Sequence, residues 1–141
     1  QFLQPFTSSA SYINTSEVNP EHQLLCVGTK EGTVEAWDPR DRKKCATLDV
    51  AISLKDYKNF PSVTAINFKN GLQMGVGTAS GQVLVYDIRS SEPIIVKDHL
   101  NQLPIKKINF NNNLNYVYSM DSAMMKIWDE SNVSVELVFS Y

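Results

Sequence analysis

A chain of 141 residues suits one domain, and 43% apolar content is ample for a buried core. A net charge of −2 excludes a nucleic-acid binder driven by bulk charge. No apolar run approaches the ~18 residues of a membrane helix, so no membrane partner is expected.

In chain order, the first repeat, residues 7–49, reads as four strands: SYINTSEV (11–18), QLLCVGT (23–29), TVEAWD (33–38) and KKCATLD (43–49). The second, residues 60–98, opens on SVTAINF (62–68), whose polar–apolar alternation is that of a half-buried strand. Asn70-Gly71 turns it into QMGVGTA (73–79), and Ser80-Gly81 leads into QVLVYDI (82–88). The run Val83 to Tyr86 is apolar on both faces, as a strand sandwiched between sheets should be. PIIVKD (93–98) is the outer strand, where Pro93 is tolerable. The third repeat, residues 104–141, follows with PIKKINF, LNYVYSM, AMMKIWD and VSVELVF. No segment of ten or more residues has clean helical periodicity, so the chain is expected to be all-β.

The repeats share a phrase. Val-Gly-Thr, a glycine turn, an apolar run, an aromatic and Asp occur at 27–38 and again at 76–87. Trp128-Asp129 stands where Trp37-Asp38 and Tyr86-Asp87 stood, with Ser119 and Ala123 in place of the glycines. The aromatics lie 49 and 42 residues apart, near the length of a propeller blade. Propellers close with about four to eight blades, so three would leave two sheet flanks bare. The chain opens on Gln1, carries no signal peptide and is expected to be an excerpt whose remaining blades come from a longer parent chain. Cys26 and Cys45 make no disulfide framework, which points to a reducing compartment. Asn14-Thr-Ser and Asn132-Val-Ser match the glycosylation pattern, but nothing else indicates secretion.

The Trp-Asp strand ends resemble WD repeats. The ordered phrases GTKEGTVEAWDPR, MGVGTASGQVLVYDIR, VKDHLNQLPIK and SMDSAMMKIW are similar to the nucleolar protein ten and essential nuclear protein two family of WD-repeat ribosome-assembly factors. The resemblance covers residues 2–128. It implies a WD40-type β-propeller of about seven blades, of which three four-stranded antiparallel blades would lie here as the middle. It also implies a nucleolar scaffold in the early small-subunit pre-ribosome, serving rRNA processing, with other assembly proteins and pre-ribosomal RNA as partners. Many WD repeats bond an Asp, six positions before the Trp, to a His that opens the blade. Those positions hold Glu31, Ser80 and Ser122, Asp121 sits one residue early, and His99 is far from its strand. The buried Asp-His-Ser-Trp network is therefore expected in none of the repeats.

No constellation argues for catalysis, a cofactor, a metal or a small-molecule substrate. GVGTASG (75–81) is followed by a strand, whereas a phosphate loop needs a helix. Asp98-His99 has no adjacent nucleophile, and His22 with Cys26 falls short of four zinc ligands. Arg40, Arg42, Lys43 and Lys44 crowd one hairpin turn, and Arg40 recurs as Arg89. These are candidate contacts to RNA phosphates or to a partner, although Glu21, Asp38, Asp41, Asp87, Glu92, Asp129 and Glu130 share that rim. On the opposite rim, the insertion AISLKDYKNF (51–60) offers Leu54, Tyr57 and Phe60, and the loop DHLNQLP (98–104) offers His99, as partner-docking candidates. The alternative reading is a substrate receptor for a cullin-based ubiquitin ligase. Trp37-Asp-Pro-Arg40 and Tyr86-Asp-Ile-Arg89 resemble the WD-x-Arg boxes of such receptors.

Overall fold

The computed structural model describes residues 4–54, 62–132 and 136–140. Three four-stranded antiparallel sheets follow one another along the chain. The first holds β1 (Ile13–Val18), β2 (Leu25–Thr29), β3 (Thr33–Asp38) and β4 (Lys43–Asp49); a single helical turn, α1 (Val50–Ser53), follows it. The second holds β5 (Val63–Phe68), β6 (Gln73–Thr78), β7 (Gln82–Asp87) and β8 (Pro93–Asp98), and the third β9 (Lys107–Asn111), β10 (Tyr116–Met120), β11 (Met124–Asp129) and β12 (Glu136–Ser140).

The expected third and fourth strands of the first repeat match β3 and β4 residue for residue. The inner strands are shorter than expected. β9 starts at Lys107 because Pro104 has no N–H to give and the Ile105 N–H goes to Thr78 O of the second sheet at 3.1 Å. Residues 133–135 of the expected last strand lie outside the described residues. The helical turn is the one departure from an all-β chain among the described residues; Asp49 starts it by accepting the Ala51 N–H at 3.0 Å.

The sheets stand as wedges, with β1 packed on β5 and β5 on β9. Glycines set that spacing. A Cβ on Gly77 would lie 2.5 Å from Ile105 Cγ2, and one on Gly75 would lie 2.9 Å from Phe110 Cζ. Gly28 faces Val63 of the next sheet in the same way. Between the first two sheets lie Cys26, Val34, Val50, Val63, Ile66, Met74, Val76, Leu84 and Tyr86. Each large apolar side chain buried there contributes roughly 1.5–3 kcal/mol. Burial there pushes the Cys26 thiol up to about 11, so it serves as a small hydrophobe. Between the second and third sheets lie Ala65, Val83, Val85, Ile105, Ile108, Val117 and Trp128.

The two outer flanks differ. On the first sheet, Phe6 lies against Trp37 with ring centroids 5.6 Å apart, and Ser8 Oγ donates to Glu35 Oε2 at 2.8 Å. On the third sheet, Met120, Leu137 and Phe139 are exposed.

Candidate functional site

The Asp-x-Arg phrase builds a closed turn at the end of β3 and again at the end of β7. Asp38 Oδ1 accepts the Arg40 backbone N–H at 2.9 Å and its Nε–H at 2.9 Å, and Oδ2 accepts from Nη2 at 2.8 Å. Asp87 and Arg89 repeat the arrangement at 2.9, 2.8 and 2.5 Å. The side-chain hydrogen bond from each arginine holds Asp38 and Asp87 at about 2. In the third sheet Ser131 stands in for the arginine, its N–H and hydroxyl reaching Asp129 Oδ1 at 2.8 and 2.5 Å. Arg40 and Arg89 thus recur because each folds back on the carboxylate two residues earlier.

The other cations of that hairpin divide into two kinds. Lys44 Nζ sits 3.3 Å from Glu35 Oε1 and 6.0 Å from the centroid of the Trp37 ring. Arg42, at φ 55°, donates to the Gln4 carbonyl, which neutralises no charge. Among the described residues, neither Arg42 nor Lys43 meets a carboxylate. Of the five expected contact residues, Arg40, Lys44 and Arg89 are paired with carboxylates, whereas Arg42 and Lys43 are not paired with one among the described residues.

At the opposite rim the expectation about His99 is overturned. The residue is 2% exposed and its side chain is fully buried, so it is no docking residue. Nδ1 lies 2.6 Å from Asp121 Oδ2 and Nε2 lies 2.5 Å from Ser119 Oγ, while the Trp128 ring meets the imidazole edge-on at 6.2 Å. The Asp-His-Ser constellation expected nowhere is present in the third sheet. An ionised carboxylate only accepts, so Nδ1 carries the hydrogen. Burial alone would raise Asp121; N–H groups of Ala123 and Met124, with Asn101 and His99, outweigh it and hold the carboxyl down to about 2. Trp128 Nε1 does not join in and has no partner among the described residues.

Register explains why the network forms where spacing argued against it. Met74 pairs with Tyr86, whereas Val117 pairs with Trp128, so the β10–β11 hairpin is one residue shorter than the β6–β7 hairpin. Ser119 consequently stands at the place of Val76, not of Gly77, and Asp121 at the place of Thr78. His99 itself corresponds to Val50. Each sends its N–H 3.0 Å to a turn glycine carbonyl, Gly81 or Gly32, in the preceding sheet. One seam therefore packs Val50 with Val76 and Tyr86, and the other packs His99 with Ser119, Asp121 and Trp128. A signal was legible: the β4–β5 connection carries a valine where the next strand pair has Val76, and the β8–β9 connection a histidine where it has Ser119.

Sealed at 1% exposure, Ser119 cannot meet a substrate, so the triad geometry positions a loop and does no acyl chemistry. The turn within GVGTASG joins β6 to β7, with Gly81 at φ 90°, and leads to no helix. Leu54 is half-buried and packs on the core of the first seam. Tyr57 and Phe60 lie outside the described residues. Near the inner strands, Thr15, Glu17, Asn67, Lys106 and Lys107 border a cavity of about 260 Å³.

Comparison with known proteins adds the family. The profile described as "Nucleolar protein 10-like, N-terminal domain", a β-propeller domain, matches residues 1–140. Nucleolar protein 10 of Danio rerio is 45% identical over 139 residues, covering 96% of this chain and 19% of the relative. Ribosome biogenesis protein ENP2 of Saccharomyces cerevisiae is 37% identical over 133 residues, covering 92% of this chain and 18% of the relative. The chain thus spans less than a fifth of either. Among solved structures, the Cps50 (Swd1) β-propeller domain of Myceliophteria thermophila superposes with a TM-score of 0.75 at 13% identity, over 98% of this chain and 41% of that one. At that identity the likeness concerns the fold alone: the three sheets are WD40-type propeller blades.

Proposed function

Because this chain belongs to the nucleolar protein 10-like family, we propose that it is part of a propeller scaffold for ribosome assembly in the nucleolus, acting by binding and not by catalysis. One observation carries the reading: relatives named as nucleolar and ribosome-biogenesis proteins align over nearly the whole chain. The physical logic agrees with it. Stacked sheets make a rigid body, and rigid bodies with variable loops present separate docking surfaces. The exposed flank of Met120, Leu137 and Phe139 is then the seat of a further blade of the parent chain. The blade limits 7–49, 60–98 and 104–141 belong to the same reading.

Assembly proteins of the small-subunit precursor are the proposed partners, with rRNA processing as the process served. At the charged rim, Arg42 and Lys43 are the proposed contacts to pre-ribosomal RNA phosphates. Arg40, Lys44 and Arg89 keep the turns folded around them. Replacing Arg42 and Lys43 by Ala should reduce crosslinking of RNA at that hairpin; unchanged crosslinking rejects the contact.

The scaffold reading is tested with tagged full-length protein, which should co-sediment with pre-ribosomal particles in a gradient. No observation favours the ubiquitin-ligase receptor, since both WD-x-Arg arginines are engaged by their own turns. Association with a cullin adaptor in place of those particles, lost on Arg40→Ala plus Arg89→Ala, would replace the scaffold reading.

A further inference from the structure

The connections after β4 and β8 start alike and then part. Asp49 accepts the Ala51 N–H at 3.0 Å, and Asp98 accepts the Leu100 N–H at 2.7 Å. After Asp49 the chain enters α1 and buries Ala51. After Asp98 it turns left-handed at Leu100, with φ 66°, and again at Gln102, with φ 56°. Leu100 is consequently held 81% exposed, more than any other exposed large hydrophobic among the described residues.

Both features run against ordinary stability. A left-handed backbone disfavours a leucine and suits a glycine, and a lone leucine in water gains nothing from exposure. The conformation persists because the loop is pinned from below. Asn101 Nδ2 donates to Asp121 Oδ2 at 2.7 Å, His99 meets the same oxygen at 2.6 Å, and Leu103 N–H goes to Asn101 Oδ1 at 3.2 Å. The buried network therefore rests beneath an apolar side chain that it presents to the outside. An observed backbone outlier of this kind argues toward function.

We infer that Leu100 is a preorganised docking knob for a protein partner that supplies an apolar pocket. An apolar tip in the loop DHLNQLP, which carries no Lys or Arg, brings no cation to RNA phosphate and suits an apolar pocket instead. Its neighbour Gln102 is an exposed amide, which suits the polar rim around an apolar anchor. Ile52, 62% exposed on α1 at the corresponding connection one sheet earlier, extends the apolar character of this rim. The first seam's connection offers a partner a helical turn, the second a rigid tip. Pre-setting the loop removes the ordering entropy that a mobile tip would lose on binding.

This inference rests on the scaffold reading above. Its test is a benzophenone photo-crosslinking amino acid at position 100 of the full-length protein in cells, with a control at exposed Ile94 on the outer strand β8. The expected result is a discrete protein adduct at position 100 and none at position 94. With that protein purified, Leu100→Gly should raise its Kd at least tenfold while the melting temperature stays level or rises, since glycine relieves the left-handed backbone. Yield at position 100 no higher than at 94, an adduct to RNA or to a second copy, or an unchanged Kd overturns the knob. If the adduct forms with a protein foreign to pre-ribosomal particles, the ribosomal scaffold reading falls while the docking surface stands.

Discussion

Two seams between adjacent sheets solve one problem with opposite chemistry. Where the first sheet meets the second, Val50 is fully buried beside Val76, Leu84 and Tyr86. Where the second meets the third, the corresponding residues are His99, Ser119, Lys126 and Trp128, and Lys126 Nζ is held by Glu136 Oε1 at 2.6 Å and Asp98 O at 3.2 Å. An apolar seam tolerates imperfect partners, because dispersion and burial have no direction. A polar seam is stable only when complete, because each buried group left unpaired loses its full desolvation energy. Changes at the two seams should therefore differ in size and in their response to acid.

The largest effect is expected from Asp121→Ala, which leaves His99 and Asn101 without their shared acceptor. It should destabilise the full-length protein's propeller by about 3–5 kcal/mol in chemical denaturation; a loss no larger than that of Val50→Ala would erase the distinction between the seams. Acid should act on the same seam. The Asp121 carboxyl lies near 2, below the ~3.9 of an unfolded aspartate, so its contribution is present above that value and lost as pH falls from 4 toward 2. Between pH 5 and 2 the wild type should lose about 2–3 kcal/mol more than Asp121→Asn. Parallel pH profiles would place the acid sensitivity elsewhere, at Asp38 or Asp87.

At the apolar seam, Val50→Ala should cost about 2 kcal/mol with no pH dependence of its own. The smallest effect belongs to Tyr86→Phe, which removes only the hydrogen bond from Tyr86 Oη to Ser53 Oγ at 3.1 Å, worth about 1 kcal/mol. A loss of several kcal/mol there would mean that the first seam also depends on a polar link.

Much of the architecture was legible in local pattern. β3, β4 and β8 are short runs bounded by turn residues, and the recurring glycines mark where neighbouring sheets approach. What local pattern could not supply was register. Aligned on Trp-Asp, the third repeat puts Ser119 at a glycine's place; the hairpin one residue shorter moves it to face His99. The recurrence of Arg40 and Arg89 was equally visible, and it suggested a partner. The three bonds each makes to its own aspartate are a matter of side-chain geometry, which spacing does not reveal.

The equivalence of the seams can be tested by exchange. In the full-length protein, His99→Val, Ser119→Val and Asp121→Thr together write the first seam's Val50, Val76 and Thr78 into the second, leaving Lys126 on Glu136 and half-buried Asn101 free to turn its amide to water. The new threonine hydroxyl can take over the turn as that of Thr78 does, whose Oγ1 accepts the Gln82 N–H at 3.1 Å. Complete replacement of a buried polar network by apolar residues is often neutral or stabilising, while partial replacement is not. The triple variant should unfold at or above the wild-type denaturant midpoint, although Asp121→Thr alone falls well below it. A triple variant no more stable than the sum of its single substitutions would contradict the account, because the two seams would then not be built on equivalent positions.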